Sequence, residues 1–305
     1  MGRRSALSPT SACRAGFRLP DIRSILSPMS DAPPAGHVRL RLTVAYDGTA
    51  YSGWQLQPSD VSVQLRLEEA LARLFPTTPR VHSSSRTDTG VHARGMSVHF
   101  DIPRDAFRME PRKLVLAANA HLPEDIRVVS AARAKRDFHA RFSASGKQYR
   151  YLVWNAAAHD PLLRTQSWHF TRPLDLAAMR AAAASLVGRH DFRAFSSTPG
   201  YERKHTVRHV TRCDVRRNGA LLTVVIEADG FLYKMCRGIV GTLVQVGVGK
   251  FKPDQLLPML ASRDRSLAGM TAPAHGLVLW KVYYDPKKPR RPDPSATDDE
   301  AADLG

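Results

Sequence analysis

The chain has 305 residues and a formal net charge of +17 from 45 Lys and Arg against 28 Asp and Glu. That length is enough for a large buried core; no apolar run reaches bilayer-spanning length; and three cysteines (Cys13, Cys213, Cys236) without a Cys-x-x-Cys pair exclude a disulfide framework and a zinc ribbon. Residues 37–284 carry +16, against +3 for 1–36 and −2 for 285–305, so the charge belongs to the folded part and a nucleic acid is the first partner expected.

Residues 1–36 are rich in Arg, Ser, Pro and Ala with little apolar periodicity, which predicts a disordered extension. Being Arg-rich and acid-poor, they also have the character of an organelle transit peptide. Leu40, Leu42, Val44 and Tyr46 alternate with Arg39, Arg41, Thr43 and Ala45, the period of a half-buried strand. From Ser62, an N-cap, the residues Val63, Leu67, Leu71, Leu74 and Phe75 recur at helical spacing until Pro76. Strands are predicted on either side of residues 84–93, then a helix from Pro111 to His121 and a strand over Ile126–Val129.

The second half repeats this order. Lys147–Trp154 reads as a strand, and Asp175 caps a helix through Met179, Ala182 and Leu186 that Gly188 closes. Val207–Val215 and Leu221–Ile226 form a hairpin about Asn218-Gly219. A helix over Leu232–Val246 and a strand over Leu277–Tyr283 complete it. From Pro286 a basic and then acidic run reads as a solvated tail. The expected organisation is therefore an extension at 1–36, α+β halves at 37–142 and 143–285, and a tail at 286–305.

The stretch richest in chemistry is Ser84-Ser85-Arg86-Thr87-Asp88-Thr89-Gly90-Val91-His92-Ala93. Gly90 permits a tight bend, and Arg86 and Asp88, two residues apart, share a face if the backbone is extended. Alone, this segment reads equally as a solvated Asx-type turn. His92, His99 and Asp88 make a poor metal set, because no second carboxylate cluster lies nearby. No metal is expected.

In company with other segments the stretch resembles the active-site signature of the TruA-type tRNA pseudouridine synthases. The blocks that match in order are Tyr46–Gln57, Val63-Gln64 with Leu67-Glu68, Asp137–Ala144, Lys147–Tyr151, Asp191-Phe192 and Met235–Gly241. The resemblance runs from about residue 38 to about 284. Departures fall at Ser85, where the family has Gly, at Thr89 (Ala) and at Gly238 (Asn). The resemblance implies a pseudouridine synthase fold: two similar α/β halves joined in one long, mostly antiparallel mixed sheet, with helices behind and a central cleft.

It also implies a reaction. Uridine becomes pseudouridine when the N1–C1′ bond breaks, the uracil turns and C5 takes its place, with no cofactor. Asp88 is the one group the motif supplies as nucleophile, by attack on C1′ or C6 or through a glycal. A carboxylate shielded from water needs a cationic neighbour to stay ionised. The resemblance gives Arg237 that place, and a guanidinium fork suits a bidentate contact. By the same resemblance Arg86 holds the flipped nucleotide and Tyr149 stacks on the uracil, its hydroxyl a potential base for the C5 proton. The resemblance further implies a cytoplasmic homodimer acting on positions 38–40 of the tRNA anticodon stem-loop.

Phosphate contacts are expected from among Arg39, Arg41, Arg94, Arg141, Lys147, Arg150, Arg203 and Lys204. Trp54 reads either as an RNA contact or as packing under the sheet. The alternative for the whole chain is a non-catalytic RNA-binding protein with a basic, RRM-like sheet. A deaminase is excluded, since His-x-Glu and Pro-Cys-x-x-Cys are absent.

Overall fold

In the computed structural model, residues 32–285 are described apart from residue 78 and residues 198–204. The segments read as extension (up to residue 31) and tail, and the phosphate candidates Arg203 and Lys204, lie outside the described residues.

The first strand, β1 (His37–Tyr46), pairs antiparallel with β3 (His92–Pro103) on one side and β4 (Ile126–Arg133) on the other. Between them run α1 (Val63–Ala72), the two-residue β2 (His82–Ser83) against β3, and α2 (Pro111–His121). The spatial order is β4-β1-β3-β2. The second half contributes β5 (Gly146–Trp154), a short β6 (Trp168–His169), α3 (Leu176–Ser185), β7 (Gly188–Asp191), β8 (Val207–Asn218), β9 (Leu221–Ala228), α4 (Met235–Gly247), α5 (Leu256–Ser262) and β10 (Leu277–Tyr283). Its order, β10-β5-β9-β8, is that of the first half.

The halves meet where β10 runs parallel to β3, with Val278 opposite His92 and Leu279 opposite Ala93. β10 also pairs antiparallel with β5. One ten-stranded sheet results, antiparallel except at β3–β10 and β5–β6. The α+β fold expected from the sequence is the fold observed.

The two-residue period decides where the core lies. Leu40, Leu42, Val44 and Tyr46 of β1, Met96, Val98, Phe100 and Ile102 of β3, and Tyr149, Tyr151 and Val153 of β5 are all buried. They join Leu67, Leu71, Leu114, Met179 and the apolar length of α4 in one core. The alternate residues stay polar: Arg39 pairs with Asp101, and Arg41 donates to the Ser97 hydroxyl.

Element ends differ from expectation where local chemistry intervenes. α1 stops at Ala72 and leaves Leu74 and Phe75 in a turn. α4 starts at Met235, three residues late, because Lys234 takes a left-handed conformation (φ +57°) as its N-cap. α5 was not foreseen; its Pro258 falls in the first turn, where the helix needs no N–H donor. β6 and β7 are too short to show an alternation.

Candidate active site

Residues 84–91 leave β2 and re-enter the sheet at β3, one residue before the β10 junction. Several bonds from distant segments fix this loop. At its start the Lys147 ammonium donates to the Ser84 carbonyl at 2.6 Å. In its middle Thr87 shares a hydroxyl hydrogen bond with Tyr46 (2.7 Å), and its carbonyl accepts from the Trp54 N–H (3.1 Å). At its end the Gly90 N–H donates to the Tyr51 carbonyl, and Gly90 turns with φ +75°. Burial follows the alternation of an extended segment, with Arg86 exposed, Thr87 buried and Asp88 half-buried.

Asp88 faces the first turn of α4. The Arg237 Nη1 donates to Asp88 Oδ2 at 2.8 Å, with side chains 15% and 22% exposed respectively. This pair joins residues 149 apart in sequence. The contact is not the bidentate one expected of the guanidinium. The fork is divided, since Arg237 Nε donates to the Ala272 carbonyl at 2.8 Å and the Ala272 N–H returns a bond to the Arg237 carbonyl. Arg237 is thereby tied to the segment just before β10.

Tyr149 lies on β5 opposite Leu279, itself opposite Ala93 at the loop exit. Its ring packs edge-on against Phe231, with centroids 4.9 Å apart. Ser85, the residue that replaces glycine, lies close enough to the Tyr149 hydroxyl to offset part of the effect of burial on the phenol. Burial pushes the phenol well above its usual range, and Cys236 and Asp88 nearby act in the same sense. At neutral pH Tyr149 therefore offers a neutral O–H and a ring face. Cys236 is likewise pushed up by burial, with Cys213 and Asp88 adding to it, and is a poor nucleophile.

Three groups acquire roles the sequence did not disclose. Lys147, a phosphate candidate, anchors the loop instead; its place two residues from Tyr149 on one strand face was the available signal. His92, considered as a metal ligand, bridges two turns: its Nδ1 accepts from the Gly48 N–H, and its Nε2 lies 3.0 Å from the His275 carbonyl. Ala272 acts through its backbone, which carries no sequence signature. Among the described residues no cluster of three His, Cys, Asp or Glu could hold a metal ion, and no helix is long and apolar enough to cross a membrane.

The remaining phosphate candidates divide by environment. Arg39 is 3% exposed and occupied by Asp101 and by the carbonyls of Arg136 and Phe138, so it is structural. Arg41 stacks on Tyr284, and Arg94 and Arg150 lie over the Trp280 ring, on the polar face of the sheet. Arg141 is exposed. Trp54 is 2% exposed and packs near Tyr46, which makes it part of the core.

Comparisons with known proteins identify the chain's relatives. A family model described as tRNA pseudouridine synthase matches residues 42–143 and 182–285, one segment in each half. A protein of Geobacillus kaustophilus called tRNA pseudouridine synthase A is 45% identical over 249 residues, covering 81% of this chain and 95% of that protein. Proteins of the same name from Bacillus subtilis and Myxococcus xanthus are 44% identical over 250 residues and 43% over 268. They cover 81% and 88% of this chain, and 100% and 99% of their own lengths. On the extent of these matches, the chain belongs to the tRNA pseudouridine synthase family.

Proposed function

We propose that the protein isomerises uridine to pseudouridine at positions 38–40 of the tRNA anticodon stem-loop, acting as a homodimer with Asp88 as the reacting carboxylate. The observation that carries this reading is the Asp88–Arg237 ion pair, formed between the two halves beside the buried ring of Tyr149. The arginine sets a positive charge 2.8 Å from the carboxylate that is to react. Asp88 then attacks C1′ or C6, or removes a sugar proton on the way to a glycal. Along each route N1–C1′ breaks, C5–C1′ forms, C5 loses its proton and N1 ends protonated.

Tyr149 supplies a face for the uracil, worth about 1–3 kcal/mol by stacking. The exposed guanidinium of Arg86, two residues from Asp88, is suited to fill the space of a base drawn from its stack. The +16 of residues 37–284 supports capture of the tRNA backbone.

The test uses tRNA tritiated at uracil C5. Wild type should release tritium to water while the modified base stays in the RNA, and Asp88→Asn should bind tRNA without releasing tritium. Tight binding by the wild type with no release would favour the RRM-like binding protein instead. Free uracil in solution would mean hydrolysis.

A further inference from the structure

His92 closes the signature loop and enters β3, and it is 4% exposed. Its imidazole makes two bonds in opposite directions. Nδ1 accepts from the Gly48 N–H at 3.0 Å, so the ring proton resides on Nε2, which donates to the His275 carbonyl at 3.0 Å. The Asp47 carboxylate, 3.1 Å from Nδ1, is itself bonded by the Thr49 N–H and hydroxyl. On one side, then, His92 holds the turn after β1. On the other it holds the segment that follows Ala272, whose carbonyl fixes Arg237 Nε.

We propose that His92 is a positioning residue for the isomerisation. It ties the Asp88 loop to residues 272–276 and so sets where the Arg237 guanidinium meets the Asp88 carboxylate. The inference rests on the reading of Asp88 and Arg237 as the reacting pair. The ring touches neither residue. Its effect runs through the backbone from His275 to Ala272, a path further restrained by the Tyr151 hydroxyl on the Pro273 carbonyl. Of the two bonds, the one to His275 is therefore the one that matters for turnover. The bond to Gly48 serves the stability of the first half.

The two amide substitutions divide the bonds. In His92→Gln the longer side chain returns a donor at the Nε2 position; in His92→Asn only the Nδ1 position is refilled. Single-turnover tritium release and tRNA affinity would be measured for both, for His92→Phe, and for each combined with Arg237→Lys, which gives up the Ala272 bond. A displacement of about 1 Å costs on the order of 100-fold in rate, so His92→Phe should lose about that much with tRNA affinity unchanged. His92→Gln should recover most of the loss and His92→Asn little of it. In the Arg237→Lys background His92→Phe should cost no more than a few-fold further, because the side-chain bond to Ala272 that sets the guanidinium is already gone, leaving only the backbone bond between the two residues.

Equal losses in the Gln and Asn variants that follow their melting temperatures, or full additivity with Arg237→Lys, would overturn the proposal. If His92→Phe does not fold, the Gln–Asn comparison decides alone. Full turnover by Arg237→Lys and by Asp88→Asn would instead refute the reacting pair, which separates that failure from a failure of the His92 inference.

Discussion

Arg237 divides its guanidinium between a carboxylate and a backbone carbonyl, and a lysine cannot do both. Its single ammonium keeps the charge beside Asp88 but loses the second anchor. Arg237→Lys should therefore fold as well as wild type, bind tRNA equally, and turn over about 100-fold more slowly, the scale of a small misplacement. Tyr149 is tested by a pair of changes. Tyr149→Leu removes ring and hydroxyl together and should lose roughly 10-fold or more in tRNA affinity from stacking alone. Tyr149→Phe keeps the ring, so any loss of tritium release measures the hydroxyl. A third residue reports on stability. Burial, with the nearby charge of Arg80, lowers the His82 pKa to about 4 from 6.5. Between those values the unfolded chain holds a proton that the folded one lacks, so stability rises with pH across the window. It is complete above about pH 6.5 and declines as pH falls toward 4, by about 3 kcal/mol at the limit. Urea midpoints between pH 7 and 4.5 should show this slope, and His82→Gln should flatten it.

At the scale of the element, α4 illustrates how close approach replaces side-chain chemistry. Gly238 follows Arg237, and a β-carbon there would collide with the Phe195 carbonyl. The asparagine usual in the family at this position does not fit the spacing found here. Gly238→Asn should push α4 away from the turn Arg193–Phe195, costing about 1–3 kcal/mol in a urea melt and slowing turnover through displacement of Arg237. Such features mark the limit of what the sequence disclosed. The strands and helices with a clean two- or 3.6-residue period were legible, and so was Asp88 through its motif. The nearness of Arg237 to Asp88 was legible by resemblance; the roles of Arg86 and Tyr149 rest on the proposal. Ala272 and the His92 bridge were not legible. Each depends on a backbone atom, or on a neighbour more than 60 residues away, and neither leaves a periodicity or spacing to read. The late start of α4 has the same origin, since a left-handed lysine gives no sequence signal.

For the whole molecule, the concentration of charge in residues 37–284 predicts how it meets RNA. The logarithm of tRNA affinity should fall linearly with the logarithm of salt, and each phosphate contact removed should lower the slope by about 0.7 to 0.9. Arg141→Ala, at an exposed phosphate candidate, should take away one such step; Arg39→Ala, a buried structural ion pair, should reduce stability and leave the slope alone. Fluorescence anisotropy at several ionic strengths separates the two.

β10 gives the architecture a direction in time. It is the last strand among the described residues, yet it lies in the middle of the sheet, against β3 on one side and β5 on the other. During synthesis the first half can reach its own β4-β1-β3-β2 pairing early, but the edge of β3 beside the Asp88 loop stays open until residues 277–283 have been made. A chain interrupted before that point would hold its carboxylate without its arginine in register. Modification thus waits for translation through residue 283, and a chain truncated before residue 277 should bind RNA without releasing tritium.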